Sequence, residues 1–147
     1  MTTRHPYLPL LACLLLHTAC GPDPQAISDY WTKLEAIYGE TGGSMSVDAG
    51  DKDATLKAAE ESLAKIEKGT KDLDAVAMPK GGDGLKAALL KNIAANKATI
   101  TAFRDEVKGG GDIAKAFEKL QADKATRNAT FQADQKAAFA KVGIQTN

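Results

Sequence analysis

The sequence predicts an all-α domain: an up-down helical bundle of three long helices preceded by one short N-terminal helix. Two observations carry that expectation. Ala, Lys, Glu and Asp are abundant while aromatic residues make up only 5% of the 147-residue chain, a composition typical of helices. Apolar residues also recur in steps of three and four over long stretches, and no strand-like alternation or internal repeat interrupts them.

The first helix is expected over Ser28 to Tyr38, with Ser28 or Asp29 placed to cap its start. Ile27, Tyr30, Trp31, Leu34, Ile37 and Tyr38 then fall on one face. Full burial of such a side chain is worth about 1.5–3 kcal/mol, enough for a short helix to dock firmly. Gly39 to Lys52 is rich in Gly, Ser and Asp with no apolar period, and reads as a mobile loop.

The second helix begins near Asp53 and stops before Pro79, which cannot continue it. Leu56, Ala59, Leu63, Ile66, Thr70, Leu73 and Ala77 form a seam like that of a coiled coil. Gly69 interrupts this helix at a cost of about 1 kcal/mol relative to alanine. Lys80-Gly81-Gly82 turns the chain and Asp83 can cap a third helix, whose stripe is Leu85, Leu89, Ile93, Asn96, Ile100, Phe103 and Val107. Gly109-Gly110-Gly111 ends it. Asp112 caps a fourth helix carrying Ile113, Phe117, Leu120, Phe131, Ala138 and Val142. Short turns between long amphipathic helices make antiparallel neighbours.

Before these helices the chain reads Leu8-Pro9-Leu10-Leu11-Ala12-Cys13-Leu14-Leu15-Leu16-His17-Thr18-Ala19-Cys20-Gly21, after a start containing the cation Arg4. A charged start, a short apolar core and small residues at the end make a secretory signal. The core is too short for a membrane-spanning helix, which needs roughly 20 apolar residues. The end of this segment resembles a bacterial lipoprotein signal, whose lipobox precedes the lipidated cysteine. Thr18, Ala19 and Cys20 match that pattern, while His17 stands where leucine is usual and Leu16 lies one place early. Cys13 also follows a matching Leu10-Leu11-Ala12, but cleavage there would leave almost no apolar core.

The resemblance implies a signal peptide over residues 1–19, a lipidated Cys20 with a tether over residues 20–27, and a helical bundle domain over residues 28–147. Within the tether, Pro22 to Gln25 is expected to lift the domain off the lipid. It also implies palmitate-type acylation and membrane lipid as the first partner. Several acyl chains on one cysteine would anchor stably, where a single chain binds only reversibly. Gly21 occupies the position where an aspartate retains such proteins at the inner membrane. The implied location is therefore the bacterial cell envelope, at the outer membrane.

Removal of residues 1–19 leaves 128 residues, enough for one domain with a modest core. It also removes Arg4, so 18 cations face 19 anions for a net charge of −1. With no basic excess to neutralise phosphates, nucleic acid is not an expected partner. No histidine or cysteine follows Cys20. Nucleophilic triads, imidazole or thiolate zinc sites and histidine-ligated haem therefore lack their residues, so no catalytic residue, metal or cofactor is expected.

Three short matches fail on inspection. Asp51-Lys52-Asp53 begins like a calcium loop, but Leu56 takes the glycine place and Ser62 the final glutamate place. Gly82-Asp83-Gly84-Leu85-Lys86-Ala87 matches a dinucleotide fingerprint but follows a proline turn, not a strand. Asn128-Ala129-Thr130 is a formal glycosylation acceptor without meaning in a bacterial lipoprotein.

Two groups remain as candidate sites. Counting equally from Gly110 sets Asn96 opposite Lys124, with Asp123, Arg127 and Asp134 on or beside the same stripe. This is either a polar layer forming a binding cleft or a register-setting asparagine beside a solvated edge. Tyr30, Trp31, Tyr38 and Phe139 form a candidate partner surface, the alternative being that the stripe on the first helix is simply core. The resulting expectation is a non-catalytic envelope lipoprotein acting as adaptor, spacer or accessory subunit on a protein partner of the envelope. The alternatives are a helical bundle binding a small molecule or lipid, or an inhibitor or protective protein for a secreted enzyme. The oligomeric state stays open.

Overall fold

The computed structural model describes residues 21–41 and 45–145. The segment expected to be a signal peptide and Cys20 lie outside the described residues. Four helices follow in order: α1 over Pro24–Thr41, α2 over Lys52–Ala75, α3 over Asp83–Lys108 and α4 over Ile113–Lys141. There is no strand among the described residues. The chain is thus an all-α bundle, as its composition and periodicity predict.

Helix α1 runs 18 residues and starts earlier than its apolar spacing suggests. Proline fits a first helical turn, where its missing N–H has no role. Asp23 supplies the cap: its carboxylate accepts from the Gln25 N–H at 2.9 Å and its carbonyl from the Ile27 N–H at 3.0 Å. Ser28 and Asp29, expected as caps, are exposed within the helix, where Asp29 accepts from Gln25 Nε2 at 2.8 Å. Pro24 and Gln25 therefore belong to the bundle and not to the tether.

The described parts of the Gly39–Lys52 stretch, expected as a mobile loop, join α1 or pack on the bundle. Gly39 to Thr41 complete α1, and Met45 and Val47 pack half-buried against the core. Thr55, fully buried on α2, donates to the Asp48 carbonyl at 2.8 Å and accepts from the Asp48 N–H at 3.2 Å. Residues 42–44 lie outside the description.

Asp51 caps α2 by accepting from the Ala54 N–H at 2.9 Å. The helix ends at Ala75, so Ala77 is exposed beyond it and contributes nothing to the seam. Ala59, Leu63, Ile66 and Leu73 are buried as expected, joined by Thr55 and Gly69. Asp83 is the first residue of α3 and not its cap; Gly82 holds the cap position and makes no side-chain bond. A negative charge in the first turn still complements the helix dipole.

At the other end of α3, the Gly111 N–H donates to the Glu106 carbonyl and Gly110, at φ 88°, donates to Val107. This is a Schellman closure, in which glycine supplies the left-handed residue. Asp112 then caps α4 through the Lys115 N–H at 3.1 Å.

Helix α3 is the central element, packing on both α2 and α4, while α1 packs chiefly on α2. Aromatic rings close the remaining side. Trp31 stacks with Phe131 at 6.3 Å and meets Phe139 edge-on at 5.4 Å, and Tyr38 lies 5.6 Å from Phe131. One core therefore runs among all four helices.

Candidate functional site

Along α4 the burial pattern fails in the middle. Ala116 lies near one end and Ala138 and Phe139 near the other, but no residue from Gln121 to Thr130 is buried. That segment is polar, so α4 has nothing there to press into α3. A groove of about 230 Å³ opens between them, lined among others by Lys91, Asn92, Asp123, Arg127, Phe131 and Asp134.

Asn92 forms the floor and is only 4% exposed. Its Oδ1 accepts from the Tyr38 hydroxyl at 3.2 Å, joining α1 to α3. Its Nδ2 is buried with no acceptor among the described residues. Arg127 on α4 is half-buried, and its Nε is likewise buried without an acceptor. Burial lowers the Arg127 pKa, opposed by nearby Tyr38 and Asp123. Burial raises that of Tyr38, opposed by Arg127. At the rim Lys91 pairs with Asp134 at 2.7 Å.

The structure corrects the expected polar layer in two members. Asn96 and Lys124 are half-buried and neither lines the groove, whereas Arg127 and Asp134 both do. The buried asparagine is Asn92. Because α3 touches neighbours on two sides, its buried face is wider than one stripe, and Ala88, Leu89, Asn92 and Ile93 are all enclosed. A single line through Leu89, Ile93 and Asn96 follows only part of that face. The available signal was that Asn92 lies three residues beyond Leu89, a helical neighbour on the same side.

The aromatic candidates resolve differently. Tyr30, Trp31 and Phe139 are buried at 3%, 7% and 6% exposure, so they are core and offer no free partner surface. Phe139 is off the expected stripe because Trp31, on another helix, covers it. Tyr38 is half-buried and belongs to the polar junction with Asn92. The Tyr30 hydroxyl is buried without a partner among the described residues. Its pKa is raised by burial and, secondarily, by the charge of Asp83.

A second, wider groove of about 500 Å³ lies between α2 and α3, with Ile66, Leu90 and Ile93 below. The Lys97–Glu67 ion pair, at 2.9 Å, links its two walls. Among the described residues no three acidic, histidine or cysteine side chains gather where they could hold a metal ion. No described helix is long and apolar enough to cross a membrane.

No protein-family model, curated protein or solved structure matches the chain.

Proposed function

We propose that the chain is a non-catalytic bacterial envelope lipoprotein, anchored through acylated Cys20 and working as an adaptor, spacer or accessory subunit. The observation that carries this reading is the distance from the lipobox-like cysteine to the bundle. Helix α1 starts at Pro24, leaving only Gly21, Pro22 and Asp23 between Cys20 and the first helical turn. Three residues reach at most about 11 Å even when extended, so the lipid would hold one end of the bundle close to the membrane.

Pro22 identifies that end. A side-chain carbon on Gly81 would meet Pro22 and Val142 at 3.1 Å, so the α1 start, the α2–α3 turn and the end of α4 come together. Met78, a large apolar residue left 53% exposed, lies by the same turn. The start of α2 and the α3–α4 turn form the distal end, where Lys52 Nζ donates to the Lys108 carbonyl at 3.2 Å. A 29-residue helix such as α4 is about 44 Å long, which suits a spacer presenting helix faces to an envelope protein.

Cross-linking of the native protein in intact cells, followed by mass spectrometry, tests the reading. One dominant envelope protein at near-equal stoichiometry, cross-linked through helix faces away from Pro22, supports it. Turnover of a substrate by the purified protein, or its recovery without any membrane association, would overturn it.

A further inference from the structure

Beyond an anchoring role, we infer that the α3–α4 groove is a binding site for a small monocarboxylate, held by Asn92 Nδ2 and Arg127 Nε. Native interiors pair nearly all their buried polar atoms, so two unpartnered donors in one groove require an explanation. Asn92 is 4% exposed, and both donors are free of acceptors among the described residues. Asn92 and Arg127 come from adjacent helices and both line the groove, with the two donor atoms just beneath its wall. A carboxylate offers two oxygens and no donor, and its hydrogen bond to a guanidinium is charge-assisted.

The other lining groups narrow the class. Asp134 is engaged by Lys91 at 2.7 Å, and Asp123 interacts electrostatically with Arg127. Two cations and two carboxylates thus balance in the groove, which disfavours a multiply charged anion such as phosphate. Ala88, Ala95 and Phe131 supply apolar wall for a short aliphatic tail. The groove holds about 230 Å³, room for a small molecule and not for a lipid chain pair. Tyr38 fixes Asn92 through its Oδ1, which leaves Nδ2 as the group without a partner.

The test is an NMR titration of the isotope-labelled full chain, purified as cells produce it, with sodium propionate against matched sodium chloride. Saturable shifts of the Arg127 Nε–H and the Asn92 side-chain amide with propionate alone are expected. Arg127→Met should weaken that binding by about tenfold or more, the scale of one charged hydrogen bond. Equal or unsaturable shifts in both salts would overturn the inference. So would a direct Arg127 Nε–H bond to Asn92 Oδ1 in the absence of propionate, which would mean that the amide is turned and the donors satisfy one another internally. The wild-type titration decides the matter even if the variant fails to fold, and it is independent of whether Cys20 is acylated.

Discussion

Replacing Gly69 with alanine should destabilise the protein, although the same change in an open helix stabilises it. Alanine in a helix interior gains about 1 kcal/mol over glycine. Here Gly69 is buried, and a carbon built on it would run into Thr41 Cγ2 at the end of α1. Thr41 is poorly placed to yield. It is 6% exposed, its Oγ1 donates to the Tyr38 carbonyl at 2.8 Å, and a β-branched side chain has few χ1 alternatives.

Overpacking costs about 1–3 kcal/mol, and a Thr41 rotation that gave up its hydrogen bond would cost about 0.5–1.5 kcal/mol. Set against the propensity gain, Gly69→Ala should lose about 1–2 kcal/mol. Thr41→Ala removes the worst obstacle and leaves a carbon 3.0 Å away, a contact relieved by a shift of a few tenths of an ångström. In that background the alanine should be neutral or stabilising by up to about 1 kcal/mol, giving a coupling of about 1–3 kcal/mol, within the range for contacting residues. Urea unfolding of the four proteins, compared at constant m, measures it. A Gly69→Ala protein about 1 kcal/mol more stable than wild type would refute the close-approach argument.

Three further outcomes follow from the burial pattern. Phe139→Ala removes a ring packed edge-on against Trp31 and should cost about 3–5 kcal/mol in urea unfolding. Asn92→Leu should stabilise by about 1 kcal/mol, since relief of a buried unpaired donor (about 1–3 kcal/mol) outweighs the hydrogen bond lost from half-buried Tyr38 (about 0.5–1.5 kcal/mol); a loss in urea midpoint would mean that Asn92 is satisfied. Stability should fall at alkaline pH, because burial holds the Tyr30 and Tyr38 hydroxyls above their ordinary pKa. The unfolded chain releases these protons near pH 10, so their contribution is complete below that point and fades as pH rises through the folded values. The Tyr30→Phe/Tyr38→Phe double variant should show a shallower decline in urea midpoint.

What could be read in advance follows physical range. Helical periodicity and the Asp112 cap are local, and all four helices lie close to where the spacing of apolar residues and turn glycines put them, the largest difference being α1, which starts four residues early. Gly69 was legible only as a weak helix former, because its reason for being glycine is Thr41, 28 positions earlier in the chain. Asn92 is missed and Phe139 reads as a free surface or core residue for a related cause. Their burial depends on which third helix covers them, and a stripe drawn along one helix carries no information about a neighbour's side chains. Arg127 and Asp134 were legible because polar residues interrupting a core stripe are themselves a local signal.

Intact-mass spectrometry of the protein extracted from cell membranes reads the proposed anchor directly at one residue. The expected chain begins at Cys20 and carries the added mass of acyl groups, lost together with membrane association in Cys20→Ala. A membrane-free chain bearing an unmodified Cys20 thiol would contradict it.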